Sequence, residues 1–127
     1  MAAVLPMRCR RYLEARGIAF HELDEGGMKA LVLPSFGLPP GHFDAAAADI
    51  LILLPPGYPD AAPDMFHAIP WLRLSGSGAY PRCADQPVVF AGRNWQRWSR
   101  HSGEWRPGAD GIWTMLKRVE AALAEAA

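Results

Sequence analysis

The chain has 127 residues, half of them hydrophobic and a fifth charged, the size and balance of one globular domain around one core. Thirteen basic side chains stand against thirteen acidic ones, so no net charge draws it to nucleic acid or to a membrane surface. No apolar run approaches the roughly 20 residues of a bilayer span, the start MAAVLPMRCRRYLEARG lacks the apolar stretch of a secretion signal, and two cysteines are too few for a disulfide framework. The expectation is one domain over residues 1–127, in the cytoplasm, with its thiols reduced.

In chain order, Leu5, Cys9, Tyr12 and Leu13 share one face of a first helix, which Gly17 ends. Cys9 on that face reads as a core residue. IAFHEL and MKALVL read as two strands around the DEGG turn. FGLPPGHFDAAAAD reads as a loop, and DILILL as a strand buried on both faces. LLPPGYPDAAPDMF follows. Its four prolines forbid helix and sheet together and hold the chain as one rigid, extended loop. MFHAIPWLRL reads as a fourth strand, and Pro70 within it suggests an edge position or a bulge. His21 and His67 fall within strands and read as surface or half-buried residues.

SGSGAYPRCADQP reads as irregular, VVF as a short strand, and GRNWQRWSRHSGEWRPG as a turn-rich aromatic segment. Trp95 and Trp98 have the spacing of one face of a helical turn and read as core plugs. A last helix runs from about Asp110, with Ile112, Met115, Leu116, Val119 and Leu123 as its apolar stripe. The fold class is α+β: an N-terminal helix, a four-stranded antiparallel meander, a long irregular crossing and a C-terminal helix, with both helices on one sheet face.

Tyr58-Pro59 followed by Pro63 after the third strand, and Trp105-Arg106-Pro107 before the last helix, resemble the ubiquitin-conjugating (UBC, E2) superfamily. GYPD, PDM, WQRWSRH and WRPGADG resemble, within it, a bacterial E2-like family associated with ubiquitin-like modification systems. The resemblance spans residues 5–123. It implies a UBC-like fold whose proline loop braces the active-site crossing. The implied activity is transfer of the C-terminal acyl group of a ubiquitin-like protein from an E1 to an amine, through a thioester or oxyester. The implied partners are the ubiquitin-like protein, the E1 and a deconjugating peptidase of the same system, with no cofactor. Arg8, Arg10 and Arg11 on the first helix are then candidate E1 contacts.

Such chemistry needs an accessible nucleophile, a proton acceptor and a group to stabilise the oxyanion. Cys83 falls where the superfamily's cysteine stands when counted from Tyr58, and Arg82 beside it favours a thiolate. Counted back from Trp105, the nucleophile position falls instead near Ser99, with His101 as its base. Ser99 and His101 share a face only if the segment is extended. The two counts disagree because the chain carries an insertion between Cys83 and Trp105. The superfamily's His-Pro-Asn is missing, with Arg73, Leu74 and Ser75 in its place. Asn94 and His101 are the candidates to stand in for its asparagine. That absence is the best argument for the alternative, a non-catalytic UBC/RWD-type binding module. The four histidines and two cysteines show no metal-ligand spacing. Arg93, Arg97, Arg100 and Arg106 among Trp95, Trp98 and Trp105 read as stacked pairs within a structured loop, not as a single-strand-binding surface.

Overall fold

The computed structural model describes residues 4–101 and 104–126. Helix α1 spans Met7–Ala15 and α2 spans Ile112–Glu125. The strands are β1 His21–Glu25, β2 Met28–Gly37, β3 Ala47–Leu54, β4 Phe66–Ile69, β5 Gln86–Phe90 and β6 Arg93–Trp98. They form one antiparallel sheet in the order β1-β2-β3-β4-β6-β5.

The first four strands follow one another as a meander, but the sheet does not stop at four. Residues 86–98, expected to be irregular apart from VVF, form a hairpin whose second strand pairs with β4. The β5 strand is left at the edge, with Pro87 inside it, a position where a missing N–H breaks no ladder. Trp95 and Trp98 are buried, though not on a helical turn. Three residues apart on a strand, they face opposite sides of the sheet. Trp98 joins the helix-side core with Leu33, Ile52 and Phe66, and Trp95 joins the far-side cluster with Val32, Leu51 and Phe90. The i, i+3 spacing of two large apolar residues imitates a helix when a strand is buried on both faces.

The other elements follow their sequence signals. Gly26 and Gly27 turn the β1–β2 hairpin with positive φ of 59° and 92°, which glycine adopts without steric cost. Ile50, Leu51 and Ile52 of β3 are all fully buried, on alternating faces. All five stripe residues of α2 are buried, as are Cys9 and Leu13 of α1, so both helices cover the same side of the sheet. Pro70 ends β4 at Ile69 instead of marking an edge or a bulge, because β4 lies inside the sheet between β3 and β6.

His67 also departs from expectation. It is 3% exposed, between Leu51 and Arg97 on the neighbouring strands, with Nδ1 3.4 Å from the Leu51 carbonyl. Burial pushes its pKa below the ordinary 6.5; the Leu51 contact opposes this and the Arg97 charge adds to it. The unfolded chain therefore binds this proton more readily than the fold does. Stability is full above about pH 6.5 and declines as pH falls below it. The urea midpoint is expected to drop between pH 7.5 and pH 5.5, and to drop less in His67→Gln; equal slopes in the two proteins would refute this.

Candidate functional site

The site is assembled where three stretches meet: the proline loop 55–65, the irregular segment 70–85 and the end of β6. The loop is braced as its composition implies. Tyr58 Oη and Cys9 Sγ lie 3.3 Å apart beneath it, and burial, then the Cys9 contact, pushes the Tyr58 pKa far up. The Trp105 indole N–H donates to the Pro59 carbonyl at 2.9 Å, and the Tyr58 and Trp105 rings lie 6.4 Å apart. Pro63 is buried and Pro107 exposed. The Tyr-Pro turn and the Trp-Arg-Pro corner, 46 residues apart, are thus one structural unit.

Cys83 is exposed, and its backbone has φ of 56°, the left-handed region that costs a non-glycine residue about 1–2 kcal/mol. Its surroundings fix that conformation. The Ala84 N–H donates to the Pro81 carbonyl at 3.1 Å, and the Ser99 N–H donates to the Cys83 carbonyl at 3.0 Å. Below them lies Gln96, fully buried on the helix side. Its Nε2 donates to the carbonyls of Ala84 (2.8 Å) and Leu72 (3.0 Å). Its Oε1 accepts from the Leu72 N–H (2.8 Å) and the Trp98 indole (3.0 Å). One side-chain amide thus fastens the cysteine segment to β6. Gln96 was not legible as a site residue, since a glutamine between two tryptophans in a strand looks like an outward-facing spacer.

The two candidate positions, Cys83 and Ser99, come together here. Most of the stretch between Cys83 and Ser99 folds as the β5–β6 hairpin, which runs out and back and delivers Ser99 beside Cys83. Side chains then alternate along the extended segment 98–101. Ser99 Oγ donates to Met65 Sδ at 3.5 Å, and His101 Nδ1–H donates to Asp64 Oδ1 at 2.7 Å, both against the proline loop. Arg100 points the other way, 5.1 Å from the Trp98 ring centroid, with Nη1 donating to the Ser99 carbonyl at 3.0 Å. Ser99 and His101 share a face, but among the described residues no hydrogen bond joins Ser99 Oγ to the imidazole. Asp64, unnoticed in the sequence, is the carboxylate that orients His101. Asn94 is the second residue of β6, at its outer end, with its carbonyl accepting from the Trp71 indole. Five residues of strand at about 3.3 Å each separate it from Ser99, so the hairpin carries it away from the cysteine.

The three arginines of the first helix have different situations. Arg8 donates to the Gly108 carbonyl at 3.2 Å and lies 5.3 Å from the Trp113 ring centroid, so it ties α1 to the turn before α2. Arg10 forms an ion pair with Glu22 at 2.8 Å, and Glu22 also accepts the N–H groups of Val4 and Leu5. Arg11 is exposed. The Arg10 hydrogen bond holds the Glu22 pKa below the ordinary 4.5 against opposing burial, with the two N–H groups assisting. This contribution to stability is complete above about pH 4.5 and is lost as pH falls through the lower folded value. Glu22→Gln is expected to be less stable than the parent at pH 7 and to show a shallower loss below pH 4.5; parallel curves would disprove the coupling.

An antiparallel sheet with both helices on one face, a braced proline loop and an exposed cysteine in the crossing beyond it define the α+β architecture of this protein. The chain belongs to prokaryotic E2 family E, whose family model matches residues 5–126. No curated protein and no solved structure matches it. Family membership accounts for an E2-like role, and so for dealings with a ubiquitin-like protein and an E1-like enzyme. Among the described residues no helix is long and apolar enough to cross a membrane.

Proposed function

We propose that residues 1–127 are a single E2-like domain in which Cys83 carries the C-terminal acyl group of a ubiquitin-like protein as a thioester. The acyl group comes from an E1 and goes to an amine, in a cytoplasmic system with a deconjugating peptidase. The observation that supports this most is the left-handed, exposed Cys83, pinned by the Ser99 N–H and by Gln96. Strain of this kind clusters at functional sites; of the described non-glycine residues with positive φ, Ser35 lies at the β2 bulge and Ala91 in the β5–β6 turn, while Cys83 lies in the irregular segment before β5. His101, oriented by Asp64, takes the proton released by the attacking amine. Tyr58, Pro59, Pro63, Trp105 and Pro107 hold the wall against which this happens, and Arg11 is the first-helix arginine available to the E1.

The shared face of Ser99 and His101 favours a second reading, an oxyester on Ser99. The missing His-Pro-Asn favours a third, a module that binds without catalysis. One assay separates all three: the chain is mixed with its E1, ATP and the ubiquitin-like protein. An adduct lost in Cys83→Ala and released by reductant supports the thioester. One lost in Ser99→Ala, stable to reductant and cleaved by hydroxylamine, supports the oxyester. Binding without an adduct supports the module.

A further inference from the structure

Two arginines flank the nucleophile and take no part in the proton chemistry above. Arg82 precedes Cys83, and Arg100 follows the Ser99 whose N–H binds the Cys83 carbonyl. Both line one cavity of about 460 Å³, together with Glu125 and Ala126 at the C-terminal end of α2. Arg100 is held in place by the Ser99 carbonyl and the Trp98 ring. Among the described residues neither guanidinium has a carboxylate within 4.0 Å. Burial holds the Arg100 pKa below its ordinary value; the charge of a Cys83 thiolate opposes this and Arg82 adds to it. The carbonyl end of α2 favours cations nearby, and the Glu125 carboxylate shares the cavity but lies more than 4.0 Å from both guanidiniums, so no ion pair cancels the repulsion between them. Such a pair is a preformed seat for negative charge.

We infer that Arg82 and Arg100 form the oxyanion-binding element of the acyl site, in the role left open by the absent asparagine. This rests on Cys83 being the acyl carrier. In loading, the Cys83 thiolate attacks the carbonyl carbon of the donor thioester, a C–S bond forms, and the carbonyl π pair moves onto oxygen. The guanidinium N–H groups hold that oxyanion until the pair returns and the donor thiolate leaves. In discharge the acceptor amine attacks, the oxyanion forms again, Cys83 leaves as thiolate, and the ammonium proton passes to His101 or water.

The test uses the full chain and two small reagents, with Cys83 modification read by peptide mass. S-phenyl thioacetate acylates the thiol through an oxyanion. Iodoacetamide alkylates it by direct displacement, with no oxyanion. Arg100→Gln and Arg82→Gln are each expected to slow acylation about tenfold or more, with alkylation changed less than about twofold, and Arg100→Lys is expected to restore most of the loss. Unchanged acylation overturns the inference. So does an equal fall in both reactions, which would place the effect on thiol ionisation, and so does a lowered melting temperature that lysine does not rescue, which would make the arginines a cap for α2. If Cys83-dependent adduct forms with the E1 in the glutamine variants at the parental rate, the carrier reading stands and this inference alone fails. If no such adduct forms even in the parent, both fall.

Discussion

Cys83→Gly is expected to lose the E1-dependent adduct completely and to be at least as stable as the parent, by up to about 1.5 kcal/mol. Two effects of similar size set the stability. Glycine relieves the left-handed backbone at φ 56°, which costs about 1–2 kcal/mol for any other residue. It also widens the freedom of the unfolded chain, which takes back about 0.4–1 kcal/mol. The thiol is exposed, so little packing is lost with it. Cys83→Ala loses the adduct equally but keeps the strain, so it is expected to unfold at lower urea than Cys83→Gly. A residue whose removal abolishes function without cost to the fold is one retained for its chemistry. An adduct surviving in either variant would end the thioester reading, and a glycine variant less stable than the alanine one would end the strain argument.

Gln96→Leu is expected to destabilise the protein by about 3–5 kcal/mol, despite placing an apolar residue of similar size in a buried site. The amide satisfies the Leu72 N–H, the carbonyls of Leu72 and Ala84, and the Trp98 indole. Leucine strands these groups away from water, and each buried orphan costs about 1–3 kcal/mol, reduced where the chain relaxes. The same relaxation frees Ala84 and so the backbone of Cys83. The variant is expected to lose most of its loading rate even at temperatures where it remains folded. Gln96→Glu, which keeps the acceptor but not the donors, separates the two halves of the network. Urea titration gives the stability and single-turnover loading the rate. A loss under about 1 kcal/mol would mean that the network contributes little.

Sequence reasoning read the parts of this molecule with a regular period and missed those where one residue serves two faces. The stripe of α2, the buried run of β3 and the glycine turn before β2 each carry a single strong signal. In β6 the burial of Trp95 and Trp98 on opposite faces cancels the alternation that marks a strand and leaves a helical spacing in its place. That misreading hid the hairpin, and the hairpin brings the two candidate positions, Cys83 and Ser99, side by side. The linear text gives Cys83 and Ser99 as rivals sixteen residues apart, while in space one N–H joins them. Asp64 and Gln96 act through contacts 37 and 24 residues away in the chain, with His101 and Leu72. No local pattern announces such contacts, because long-range hydrogen bonds leave no periodicity.

The proline inside β5 has a consequence for how the protein behaves in a crowd. An unpaired outer strand is a template onto which another chain can zip, and repetition of that event builds filaments. At Pro87 the template lacks a donor, so a foreign strand cannot run in register past it. Molecules at high local concentration can therefore jostle edge to edge without fusing into a shared ribbon, and the exposed Cys83 thiol a few residues upstream stays uncovered by such contacts.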